Sequence, residues 1–353
     1  MNNKIRYEWV DALKFLGIFA IYIGHFGTAA GKIYPFVFSY HVPLFFFAAG
    51  FFSKNKNTPL HQFTIDKAKR LLLPYFSFAF MTLAITSLNA GGDFRSLINA
   101  SLDILYGVRN NPFVGSIWFI NCLFAMIIID NLFVRLFKNN FLILCISILS
   151  FAYTQTLLSH NPLVEPKWFW NVDSALAYWW LLAMGRCMFK ELCENRFFGK
   201  SIAGVVIFIL LAGATAYQLL NGNSLITTIA NRLLPVITQS QIFAILNSII
   251  STTILILFNI FIAKIISKSE FIINAGKNTL NICGLEYITK LLIPATAALL
   301  GLSFGIPSVI SAILYTLICL YISNIIGYWL SDKIGYSFSI NVPKPKNYKT
   351  LIQ

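Results

Sequence analysis

The chain has 353 residues, of which 57% are apolar, 16% aromatic and only 11% charged. That balance excludes an ordinary soluble globular domain, where charged residues run near about 25%. A formal net charge of +14 would suit a nucleic-acid partner, but the way it is distributed along the chain argues against one.

Apolar runs lie near residues 9–30, 36–53, 71–89, 113–134, 140–158, 174–190, 201–220, 242–263, 279–300 and 307–331. Each is close to the ~20 residues that a helix needs to cross a bilayer core of ~30 Å. The expectation is an all-α polytopic membrane protein with about ten transmembrane helices. Twenty Lys and Arg fall in the two tails and alternate joints, against five in the remaining joints. Such a bias marks the cytoplasmic side and puts both termini of a multi-pass membrane protein there. The basic charge is therefore chiefly a topology signal. Residues 1–335 make one membrane domain, and the Pro- and Lys-rich stretch 336–353 is expected to be a disordered cytoplasmic tail.

The first run, "DALKFLGIFAIYIGH" at residues 11–25, holds an Asp, a Lys and a His where hydrocarbon tolerates them least. An ionisable side chain at the bilayer centre costs at least about 2.5–3.5 kcal/mol. The small residues of "HFGTAAG" imitate a signal-peptide cleavage site, but the run is too long and too charged for one, so it is expected to be retained. Asp11 and Lys14 are three apart on one helix face and can pair. Lys14 and His25 are eleven apart, close to three turns, so they share a stripe about 16 Å long. His25 should face the bundle interior or a water-filled cavity.

The second run returns with "FSYHVPLFFFAAGFF". It puts His41 about two turns in, at the depth of His25, either as a partner in chemistry or as a cap on local backbone. Pro43 is expected to kink this helix. The third run opens on "TIDKAKRLLLPYF". Lys67, Lys69 and Arg70 there mark the cytoplasmic face and also suit an anion site for phosphates. The joints 89–112 and 221–241 have an amphipathic look and are expected as surface or re-entrant helices. His61 and His160 lie in joints and read as solvated. Asn278 and Asn281 can hydrogen-bond between helices. Six cysteines show no CxxC spacing and read as buried thiols, so no metal site is expected.

A phosphate clamp at one end of a buried polar stripe and an imidazole at the other suit acyl-coenzyme A as donor. A buried neutral His is a suitable general base for an acceptor hydroxyl, or a carrier of the acyl group itself.

Four segments resemble the membrane-bound acyltransferase family 3, the bacterial O-acyltransferases of surface polysaccharides. "DALKFLGIFAIYIGH" is similar to its opening motif, Asp-x-x-Arg, ten residues, then His. "HVPLFFFAAGFF" resembles its second-span signature, in the branch of fucose 4-O-acetylase-like and intercellular-adhesin enzymes. "DKAKRLLLPY" looks like its basic-x-x-Arg and Pro-Tyr segment, and "SIWFINCLF" like its Trp-Phe-x-x-x-Leu span. The specific motifs lie mostly in the first 125 residues. The resemblance implies His25 as the catalytic imidazole; Asp11 and His41, which stand in its motifs, are the further catalytic candidates. It implies Lys14, Lys67 and Arg70 as contacts for donor phosphates, and the anion-site reading of the third run adds Lys69 to them. Tyr75, Trp118, Asn121 and Glu286 are candidate pocket residues. The implied reaction moves an acetyl or other short acyl group from cytoplasmic acyl-CoA to a saccharide or glycolipid hydroxyl, with the lipid bilayer as the remaining partner. Three positions depart from the pattern. Lys14 and Lys67 keep the charge of an Arg without its planar fork. Glu286 stands where the family often has His, and either orients an imidazole or pairs with Lys290. A transporter or flippase of a lipid-linked saccharide is the alternative, but it should spread its charges over several central spans. An inactive relative acting as an interaction partner is a third reading, which the intact His25 argues against.

Overall fold

The computed structural model describes residues 6–333 apart from 54–57, 91–93, 111–114, 195–201, 234–236 and 304. The tail expected at 336–353 lies outside the described residues. Those described form helices and no strand.

The first half runs through α1 (Glu8–Gly24), α2 (Ile33–Phe38), α3 (His41–Gly50), α4 (Leu60–Ala90), α5 (Phe94–Tyr106), α6 (Trp118–Phe137) and α7 (Asn140–Thr156). The second half continues with α8 (Val172–Cys193), α9 (Ile202–Leu220), α10 (Leu225–Leu233) and α11 (Gln241–Ile266). It closes with α12 (Glu270–Lys277), α13 (Thr279–Gly284), α14 (Glu286–Leu299) and α15 (Val309–Lys333). Among the described residues, six stretches are long and apolar enough to cross a membrane: 33–50, 60–87, 115–137, 202–220, 241–266 and 309–330. They coincide with six of the ten apolar runs, and the chain is a polytopic membrane protein. The other four runs are also helical, in altered form. α1 and α7 have 17 residues each, α8 carries several charged residues, and the 279–300 run is divided at Leu285 between α13 and α14. The amphipathic joints form α5 and α10.

Burial separates the helices. α9 buries only Ala212 and Thr215, as an apolar helix facing lipid would. α1 buries nearly everything from Val10 to Gly24, because α3, α11, α12, α13 and α15 all pack against it. A helix enclosed by protein meets polar neighbours rather than hydrocarbon, which is how it holds ionisable side chains. Two close approaches fix this core. A side chain at Gly50 would strike the Leu182 carbonyl and one at Gly185 the Phe47 carbonyl, so α3 and α8 meet backbone to backbone. Gly276 likewise brings α12 against the Asp11 carbonyl of α1.

The second run is not one helix kinked at Pro43. It breaks earlier, at Ser39–Tyr40, between α2 and α3. The Ser39 hydroxyl turns back to the Phe36 carbonyl at 2.6 Å, and the freed Ser39 carbonyl accepts from Thr252 on α11 at 3.2 Å. Pro43 then falls in the first turn of α3, where its missing N–H would have had no helical partner.

Candidate active site

The two ends of α1 carry its polar residues. At the start, Asp11 is buried and accepts from Arg6 Nε at 2.7 Å and from Lys14 Nζ at 2.8 Å. The expected i,i+3 pairing is present. Fourteen residues on, about 21 Å along the helix, His25 closes α1 as its C-cap.

His25 Nδ1 lies 2.7 Å from Glu286 Oε1. Glu286 opens α14 just past the break at Leu285, and an acidic side chain in a first turn is favoured by the helix dipole. The same Oε1 accepts from Lys290 Nζ at 2.7 Å, so Glu286 orients the imidazole and pairs with Lys290 at once. Lys290 is held in turn by the Tyr22 carbonyl at 3.1 Å and the face of Phe26, 4.2 Å from its centroid. A carboxylate only accepts, so with Glu286 ionised the proton of His25 sits on Nδ1 and the lone pair on Nε2. Nε2 has no hydrogen-bond partner among the described residues, and the side chain is 35% exposed.

That exposure opens on a cavity of about 1070 Å³, whose walls include His25, His41, Arg109, Trp118, Glu286 and Lys290. His41 is the first residue of α3, not two turns in. Its Nδ1 donates to the Val37 carbonyl at 2.6 Å, the local capping that was one of its two readings, while its ring packs edge-on against Phe38. Trp118 lines the cavity under the Arg109 guanidinium, which lies 4.6 Å from its ring centroid.

Other expected site residues stand apart. Asp11 belongs to the far end of α1 and is saturated by two cations, so it touches nothing at the imidazole. Lys14 is paired with Asp11. Lys67 lies over the Phe63 ring at 5.4 Å, Lys69 and Arg70 are exposed on α4, and none of these four basic residues lines the cavity. Tyr75 and Asn121 are buried but do not wall the cavity either. They pack beneath Gly107, where φ is +62° and a side chain would meet both. The Tyr75 hydroxyl donates to the Ile104 carbonyl at 2.8 Å. Their place is under the turn that carries Arg109.

Arg109 is one of the five basic residues in the charge-poor joints. Nothing in a lone loop Arg marks it as a cavity residue; the neighbouring "YGVRN" turn is the only available signal. His160, expected to be solvated, is buried and bonded to Asp173 Oδ2 at 2.8 Å. That carboxylate also accepts from the Lys167 N–H at 2.7 Å, which clasps the loop before α8. A second unanticipated pair, Arg186 with Asp130, joins α8 to α6. Asp130 there accepts from Ser53 at 2.7 Å and from Trp179 Nε1 at 3.0 Å.

A family model described as an acyltransferase domain matches residues 7–328, nearly the whole chain. No curated protein and no solved structure shows a significant match.

Proposed function

Because the chain belongs to this acyltransferase family over residues 7–328, we propose that it moves a short acyl group, acetyl in the simplest case, from acyl-CoA to a saccharide hydroxyl, with His25 as base. One observation carries the reading. An imidazole tied through Nδ1 to a buried carboxylate at 2.7 Å leaves its other nitrogen unbonded at the wall of a cavity large enough for a sugar.

The chemistry follows from that arrangement. Nε2 takes the proton of the acceptor hydroxyl as the oxygen attacks the thioester carbonyl. The C–O bond forms, the C–S bond breaks, and the imidazolium returns its proton to the leaving thiolate. Glu286 faces the charge that develops on the ring, so no reorganisation is needed as the ring ionises. Lys290 offsets the carboxylate in its resting state. His41, held by the Val37 carbonyl, is a wall residue that positions the acceptor. Aromatic walls such as Tyr34, Trp118, Tyr178 and Trp180 suit the apolar faces of a sugar, with few polar groups to fix its orientation.

The donor's phosphates are assigned to the basic residues at the start of α1 and on α4, namely Lys14, Lys67, Lys69 and Arg70. The asymmetry of twenty basic residues against five supports ten crossings, with that side and both termini in the cytoplasm. The thioester arm would then reach about 16 Å along α1. The likeness of "HVPLFFFAAGFF" supports the fucose 4-O-acetylase-like branch and a cell-surface or lipid-linked acceptor.

Glycan mass spectrometry of cells with and without the intact gene tests the reading. The expected result is one acyl increment per modified sugar, lost when the gene is disrupted. An unchanged glycan and unchanged lipid-linked precursors would overturn it.

A further inference from the structure

Arg109 is the charge left over in the cavity. Lys290 and Glu286 offset each other through their 2.7 Å contact, His25 leans on the same oxygen, and the Nδ1 proton of His41 is spent on backbone. Arg109 has no carboxylate within ion-pair reach among the described residues. Carbonyls and a ring face hold it instead. Nη2 donates to the Leu163 carbonyl at 2.6 Å and lies 3.4 Å from that of Pro162, and the guanidinium covers Trp118. The Tyr178 hydroxyl lies beside it.

The surrounding loop is built to hold that position. The Arg109 N–H donates to Asn171 Oδ1 at 2.8 Å, and Asn171 Nδ2 donates to the Gly107 carbonyl at 2.7 Å. Asn171 is fully buried and has a φ of +54°, next to Trp170 at +53°. Non-glycine residues hold such angles only where the surroundings enforce them. Trp170 Nε1 pins the same loop to the Leu105 carbonyl at 2.9 Å. One strained residue, Trp170, its left-handed neighbour Asn171 and three hydrogen bonds therefore place one cation at a cavity wall. Arg109 is half-buried, and a partly desolvated guanidinium without a counter-ion is only partly offset by neutral dipoles. Beyond these carbonyls and the Tyr178 hydroxyl, its fork meets no described carboxylate, and paired N–H groups match a planar oxyanion.

We propose that Arg109 binds an oxyanion, a carboxylate or phosphate, carried by the substrate that enters this cavity. The proposal rests on reading the cavity as the transfer site, and it gives Arg109 a role in specificity rather than in the chemical step. The anion belongs either to the sugar, as a uronate or phosphosugar, or to the far end of a dicarboxylic acyl group.

Purified full-length protein in nanodiscs provides the test, with binding measured by calorimetry and no donor present. Methyl β-glucuronide is compared with methyl β-glucoside, and succinate with succinamide. The wild type is expected to prefer the anion of one pair by about tenfold or more, the scale of a hydrogen bond to a charged group. A preference for glucuronide places the anion on the acceptor, and one for succinate places it on the acyl group. R109Q should erase the preference while the neutral ligand binds as before. H25A should keep it, so that loss of transfer and loss of the anion site are separate results. No preference in either pair, or one that survives in R109Q, overturns the proposal. Should R109Q not survive purification, R109K replaces it. It is expected to weaken the anion severalfold and spare its neutral partner, and equal losses on both would overturn the assignment.

Discussion

The two ends of α1 hold the same kind of cluster, a buried carboxylate between two nitrogen donors, and differ in how it is filled. At the start, each oxygen of Asp11 has its own cation, Arg6 on Oδ2 and Lys14 on Oδ1. At the end, one oxygen of Glu286 serves both His25 and Lys290, and Oε2 has no partner among the described residues. The first cluster is closed at its carboxylate: both oxygens of Asp11 are matched, and only the outward-facing cations keep donors to spare. The second keeps capacity in reserve, and one of its members opens on a cavity. Residue type alone does not separate an anchor from a site. Unspent hydrogen-bonding capacity facing open space does.

The largest way to break this comparison is to remove the imidazole. H25A should lower acyl transfer by about 10²–10⁴-fold, the range for a lost general base, while membrane insertion and the Asp11 cluster stay intact. Acyl transfer per unit of inserted protein is the measurement, and activity within tenfold of wild type would end the case for His25.

Next in size is Glu286→Gln. The amide still accepts a bond from Nδ1 but no longer offers a negative charge to the imidazolium, so activity should fall about 10²-fold. It also leaves Lys290 as a half-buried cation without its partner, which is destabilising. Glu286→Gln combined with Lys290→Met should recover thermal stability without recovering activity. Recovery of both would reduce Glu286 to a structural partner of Lys290, and recovery of neither would deny that the pair is coupled.

Much of the first cluster was legible in the sequence, and only half of the second. Spacing alone pairs Asp11 with Lys14 and aims Lys14 and His25 along one stripe, because helix periodicity governs residues within a helix. Residue type, not spacing, marks Asn278, whose amide reaches Asn324 across to α15 at 3.1 Å. The break at Ser39–Tyr40 is hidden because an apolar run looks continuous wherever a distant residue, here Thr252, satisfies the interrupted backbone. Glu286 meets His25 across 261 positions, and no local period reports such a contact. Arg109 is hidden for another reason. In a tally of joint charges a loop Arg counts as topology, and only the strained Trp170–Asn171 turn shows that it is held in place.

The third effect sharpens the comparison by changing a charge at the closed end. Lys14→Ala should raise the acyl-CoA concentration needed for half-maximal rate severalfold and leave the maximal rate unchanged, since a phosphate contact far from the reacting atoms contributes uniform binding. Lys14→Arg should restore donor use, because it returns the charge together with the planar fork. Donor dependence that stays flat across both variants would remove the phosphate assignment from this end of α1.

The smallest effect belongs to Asp11→Asn. Arg6 and Lys14 are 41% and 28% exposed, so each can turn to water when the carboxylate is lost. The pairing is then worth about 1 kcal/mol or less once screening is counted. Asn still accepts one of the two bonds, so transfer should change by about twofold at most, with a small drop in thermal stability. The contrast with Glu286→Gln is the informative part, since both substitutions remove one buried negative charge flanked by two donors. If the comparison between the ends of α1 is right, one costs stability alone and the other costs turnover. A loss of turnover in Asp11→Asn as deep as in Glu286→Gln would mean that the two clusters work as one unit along the helix, and that the closed carboxylate tunes the chemistry from about 21 Å away.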